Sequence, residues 1–152
     1  MTAERRRLAG QVVLVAGATR GAGRGIARAF AEAGAVVYCT GRSAAGHPKG
    51  MDRPETIDET VALIEQAGGR GVAVRVDHTR EEEVASLAAR VRHHAGRLDV
   101  LVNSIWGAEP MLDWAKRFWE GDRANVRAYL DQTLISHLIT DRRLAPMMVE
   151  AN

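Results

Sequence analysis

The stretch of this chain best suited to chemistry is Gly17-Ala18-Thr19-Arg20-Gly21-Ala22-Gly23. It follows the apolar run Val12-Val13-Leu14-Val15 and precedes Arg24-Gly25-Ile26-Ala27-Arg28-Ala29-Phe30-Ala31. A glycine-rich turn that feeds a helix N-terminus is suited to a phosphate or pyrophosphate. Free backbone N–H groups and the positive end of the helix dipole both face the anion. Glycine suits such a turn because a Cβ would hold the backbone away from the ligand. Gly17, Thr19, Arg20, Gly21, Ala22 and Gly23 are therefore candidate binding residues. The spacing Gly-x-x-x-Gly-x-Gly is a weak signal alone. Its place between a strand and a helix is what carries the reading.

The elements that must position this turn are legible along the chain. Strand one is expected over Gln11–Ala16, with a helix from Gly21 to Ala33 that stops at Gly34. Strand two is expected over Val36–Thr40, followed by a loop from Gly41 to Pro54. Thr56-Ile57-Asp58-Glu59 reads as a capping box opening a helix to Ala67, with Gly68-Gly69 as its stop. Strand three follows over Gly71–Val76. Thr79-Arg80-Glu81-Glu82 reads as a second capping box, and its helix ends at Gly96. Strand four is expected over Leu98–Asn103, then an irregular section over Trp106–Asp122, then a long helix from Arg123 to Val149 that Pro146 would kink or end. Strands one, two and four are short apolar runs, as strands covered on both faces are. Alternating strands and helices joined by right-handed crossovers give an α/β, Rossmann-like, doubly wound parallel sheet. The expected order is 3-2-1-4, with a ligand crevice at the switch point between strands one and four.

Composition narrows the partners. The 152 residues are 46% hydrophobic and 26% charged, with a formal net charge of +2, as in an ordinary single globular domain. No basic stripe argues for nucleic acid, and Arg5-Arg6-Arg7 reads as a solvated tail. Residues 1–9 read as a flexible arm. The single cysteine, Cys39, lies in a central strand and reads as a buried small hydrophobe. No secretory h-region or 18-residue apolar span occurs, so a cytoplasmic, membrane-free protein is expected. His47, His78, His93, His94 and His137 show no metal-ligand spacing, so no metal is expected.

Taken together, the glycine turn, Thr40-Gly41-Arg42-Ser43, Asp77, Leu98-Asp99-Val100-Leu101-Val102-Asn103 and Ala145-Pro146-Met147-Met148 resemble a short-chain dehydrogenase/reductase. The resemblance runs from Gly10 to Met148 in the family's order. It covers only the N-terminal, cofactor-binding half, so residues 1–152 are expected to be a partial, truncated NAD(P)-binding domain. It implies that Asp77 meets the adenine edge with His78 supplying backbone beside it. It also implies that Asn103 supports strand four near the cofactor ribose. The long helix would then mediate homo-oligomerisation.

Cofactor choice follows from charge. NAD sites place an acid at the end of strand two to hold the ribose 2′-hydroxyl. Here the strand ends Tyr38-Cys39-Thr40-Gly41-Arg42, with no acid. Arg42 can fork onto a 2′-phosphate, Arg20 can reach the same region, and Ser43 adds a hydroxyl. NADP is expected over NAD.

The chain departs from the family at Asn103-Ser104-Ile105-Trp106-Gly107, where Trp106 replaces a usual glycine. Trp106, Trp114 and Trp119, with Phe118, could line a substrate pocket or form a satellite cluster beneath a loop. The family's tyrosine four residues before a lysine does not occur, so no catalytic residue is assigned. Thr133 stands where many members carry a relay asparagine. Two readings stay open. One is the NADP(H)-binding part of an oxidoreductase that exchanges a hydride with a carbonyl or alcohol, inactive alone. The other is a complete, non-catalytic dinucleotide-binding protein or partner subunit. The first is favoured because strand four would otherwise be left as an exposed edge.

Overall fold

The computed structural model describes residues 7–47 and 53–151. Four strands, β1 (Val12–Ala16), β2 (Val36–Gly41), β3 (Arg70–Arg75) and β4 (Val100–Asn103), form one parallel sheet in the order β3-β2-β1-β4. This is the order expected from the crossovers. β1 lies centrally, pairing Val13 with Val37 on one side and Val100 on the other. All five of its residues are buried.

The pleat divides the core into two layers. Val13, Val15, Val37 and Cys39 face α1 (Gly21–Glu32) and α2 (Ile57–Gln66), where Ala27, Ala31, Ile57 and Ile64 meet them. Leu14, Ala16, Tyr38 and Val74 face α3 (Glu81–Ala95) and the last helix, where Val84, Leu87, Val91, Leu144 and Met147 meet them. A fully buried side chain such as Leu14 contributes roughly 1.5–3 kcal/mol over its exposed state. Cys39 is a core residue, and burial pushes its thiol up to about 12.

The helix starts differ from expectation in instructive ways. Thr56 caps α2 by accepting from Glu59 N–H at 3.1 Å. The second half of that box is replaced, because the Glu59 carboxylate takes the Arg24 guanidinium at 2.9 Å instead. The second box does not form. Arg80 is the N-cap of α3, without a side-chain cap, and Thr79 donates its hydroxyl to Asp77 at 2.7 Å. Gly34, Gly68 and Gly96 follow helix ends with positive φ, as the stops predicted. β4 begins two residues later than expected, and β3 one residue earlier. Of the presumed arm, Leu8 is tied down, donating N–H to Ala33 O at 3.0 Å and packing on the α1 layer. Residues 1–6, including Arg5 and Arg6, lie outside the described residues.

The long helix has three parts. These are α4 (Arg123–Leu130), a π-helical stretch (Asp131–Ile135) and α5 (Ser136–Glu150). Thr133 and Ser136 hydroxyls donate to Tyr129 O and Gln132 O at 2.8 and 3.0 Å. Such bonds to carbonyls four residues back compete with the backbone ladder and accompany local widening. Pro146 does not end the helix.

The aromatic section divides: Trp106 and Phe118 each line a cavity, whereas Trp114 and Trp119 point to solvent. Trp114, Phe118 and Trp119 are 82%, 88% and 65% exposed, so no buried satellite cluster forms. No described helix is long and apolar enough to cross a membrane.

Candidate nucleotide-binding site

The glycine turn hangs from the end of β2. Gly17 and Ala18 both donate N–H to Thr40 O, at 2.9 and 3.0 Å. Gly17 has φ +87°, and a Cβ there would collide with the Ser104 carbonyl in the segment after β4. A Cβ on Gly23 would collide with the Gly17 carbonyl. Gly17 and Gly23 are thus required by packing of protein on protein. This constraint adds to the ligand approach expected of Gly17, which also lines the cavity in front of the turn. Gly21 is the opposite case, with φ +54° and open space where a Cβ would be.

Arg20 is the N-cap of α1, yet its side chain makes no capping bond. The first turn therefore keeps its N–H groups without intrahelical acceptors. The first paired amide is Arg24 N–H, bound to Arg20 O at 3.2 Å. Arg24, absent from the sequence-based candidates, fixes the turn from behind. Its Nε donates to Thr19 O and Thr60 Oγ1, each at 3.0 Å. Thr60 donates in turn to Ala18 O at 2.9 Å. Two carbonyls are so held by α1 and α2. Hydrogen bonding and the charge of Arg24 hold the Glu59 carboxyl below its usual range.

In front of the turn, where the chain leaves β1 and β4, lies a cavity of about 330 Å³. Nine candidates line it: Gly17, Thr19, Arg20, Gly21, Ala22, Arg42, Ser43, Asp77 and His78. Gly23 and Asn103 do not. Gly23 lies behind the turn, and Asn103 Nδ2 donates to Asp141 of α5 at 2.7 Å. The opposite wall includes Trp106, which the sequence offered as a pocket residue, and Ser104, Gly107, Glu109 and Gln132, which it did not. Arg42 reaches toward it. A Cβ on Gly107 would lie 2.5 Å from both Arg42 Nη2 and Gln132 Oε1. Trp106 is half-exposed and meets Tyr129 edge to face at 5.9 Å.

The electrostatics suit an anion. Among the described residues, no carboxylate lies within ion-pair distance of Arg42. Arg20 Nη1 is buried without a hydrogen-bond partner, 4.0 Å from an equally unpartnered Glu55 Oε2. Burial pushes the Asp77 carboxyl up. Bonds from Thr79 and the charges of Arg42 and Arg80 outweigh this and hold it low. His78 contributes more than backbone, because its buried ring bonds to Thr40 and Thr140 at 2.8 and 2.9 Å. An uncapped first turn, an orphaned guanidinium donor and a basic end to β2 fit the phosphates of a dinucleotide. Tyr38 is buried in β2, which raises its pKa, and Tyr129 is followed four residues on by Thr133.

Residues 11–152 match the family model described as short chain dehydrogenase. Dehydrogenase/reductase SDR family member 1 of Mus musculus is 44% identical over 114 residues, covering 73% of this chain and 33% of that protein. A 7α-hydroxysteroid dehydrogenase structure with NADH and 7-oxo glycochenodeoxycholic acid superposes with TM-score 0.78 at 29% identity, covering 99% of this chain and 53% of that one. A metagenomic short-chain oxidoreductase in complex with NADP gives TM-score 0.75 at 27% identity, covering 95% and 59%. The chain spans about a third of the mouse relative and just over half of each solved one.

Proposed function

The chain belongs to the short-chain dehydrogenase/reductase family, and we propose that it is the NADP(H)-holding part of an oxidoreductase acting on a carbonyl or alcohol. The observation that carries this reading is the uncapped start of α1 facing a cleft that Arg20 and Arg42 flank without a competing acid at the end of β2. When bound, the dinucleotide supplies the hydride exchanged with the substrate. The first-turn N–H groups would hold the pyrophosphate. Arg42, Arg20 and Ser43 would hold the 2′-phosphate, and Asp77 would stand at the adenine end. Arg24 and Thr60 keep carbonyls of the turn bonded away from the anion.

No Tyr-x-x-x-Lys spacing occurs in these 152 residues, so this part by itself lacks the general acid that carbonyl reduction needs. Exposed Leu130, Leu134 and Leu138, four residues apart on the long helix, support association of copies through it.

Titration calorimetry with NADPH and NADH tests the assignment. NADPH is expected to bind tighter by roughly tenfold or more, the scale of a charge-assisted hydrogen bond of about 1.5–3 kcal/mol. Arg42→Asp should reverse the order. Equal affinities for the wild type refute the NADP assignment, and absence of binding by either refutes the nucleotide reading.

A further inference from the structure

His78 is a buried ring whose side chain the nucleotide reading leaves without a task. Its two nitrogens join elements far apart in sequence. Nε2 lies 2.8 Å from Thr40 Oγ1 at the end of β2, and Nδ1 lies 2.9 Å from Thr140 Oγ1 on α5. Proton counting orders the chain. The Thr140 hydroxyl donates to Ser136 O at 2.7 Å, so its oxygen is the acceptor for Nδ1–H. The neutral ring then presents a lone pair at Nε2, which takes the Thr40 hydroxyl. The alternative acceptor for that hydroxyl, Val15 O, is farther at 3.3 Å. Thr40 is the residue whose carbonyl receives Gly17 and Ala18 N–H. Two residues on stands Arg42.

We infer that His78 is a positioning residue for the nucleotide cleft: through Thr40 it sets the glycine turn against the end of β2, braced by Thr140 of α5. Its bearing on affinity rests on the nucleotide reading above. Its bearing on the turn does not.

Two variants separate the ends of the bridge. His78→Gln can keep a polar group near the Nε2 position, toward Thr40. His78→Asn keeps one near Nδ1, toward Thr140. Thr140→Val removes the α5 acceptor with little change of shape. Amide hydrogen exchange at Gly17 and Ala18, measured without nucleotide, should rise about tenfold in His78→Asn and remain near wild type in His78→Gln, the scale of one buried hydrogen bond. Thr140→Val should raise it by a smaller factor. The dissociation constant for NADPH should follow the same order, while both His78 variants lose comparable thermal stability. Equal exchange in His78→Gln and His78→Asn overturns the inference, whatever their melting temperatures. A wild type that binds no NADPH refutes the nucleotide reading and leaves the exchange result to decide the role of His78.

Discussion

Gly17 and Gly21 carry the same residue type in the same turn, yet alanine at each should do different things. At Gly17 (φ +87°) a Cβ enters the left-handed region, which costs roughly 1–2 kcal/mol. It also meets the Ser104 carbonyl, and that backbone is pinned because Ser104 N–H donates to Ala16 O at 2.8 Å. Relieving such overpacking costs roughly 1–3 kcal/mol more, so Gly17→Ala should lose about 2–5 kcal/mol. At Gly21 (φ +54°) nothing lies within 4 Å, so only the conformational cost applies, about 1–2 kcal/mol. For a domain of this size 1 kcal/mol moves Tm by about 2–4 °C, so the variants should separate clearly in a thermal melt. Nucleotide titration well below Tm completes the test. Gly21→Ala should weaken NADPH binding more than its small stability loss accounts for, because its Cβ stands on the cleft wall. A Gly17→Ala protein as stable as wild type refutes the packing argument. Unchanged NADPH affinity in Gly21→Ala refutes the location of the phosphates.

Two other outcomes follow from buried titratable groups. Burial lowers the His78 pKa from 6.5 to about 4, a larger effect than the opposing Asp77 charge, with His137 and Arg42 lowering it further. The unfolded chain therefore binds one more proton between those values. Stability is full above pH 6.5 and falls as pH drops to about 4, by about 3 kcal/mol. Denaturant melts of wild type and His78→Gln at pH 7 and pH 4.5 should converge at the lower pH. A constant gap between them contradicts the assignment of a neutral ring. Cys39, fully buried with its thiol pushed up to about 12, should resist alkylation at pH 8 until the protein unfolds. Rapid labelling of native protein would show that β2 is accessible.

Much of the fold was legible because its signals are local. Short apolar runs, glycine stops and the Thr56 cap each act within a few residues, and right-handed crossovers then leave one strand order. The glycine turn was legible for the same reason, since a strand, a tight turn and a helix start are consecutive in the chain. Side-chain destinations were not local. Glu59 and Thr79 have the spacing of capping residues, but Arg24 and Asp77 offered them better partners once α1 and β3 were in place. Asn103 turned to Asp141, 38 residues on, and left the cleft. The opposite wall took shape only when the helix carrying Gln132 packed beside Gly107 and Arg42. The sequence by itself determined where a glycine turn would feed an uncapped helix start, because the strand, the turn and the helix N-terminus are consecutive residues. Only the tertiary structure decided what holds that backbone still. The Thr40–His78–Thr140 bridge spans 100 positions, and no spacing rule links residues that meet only through the packing of three separate elements.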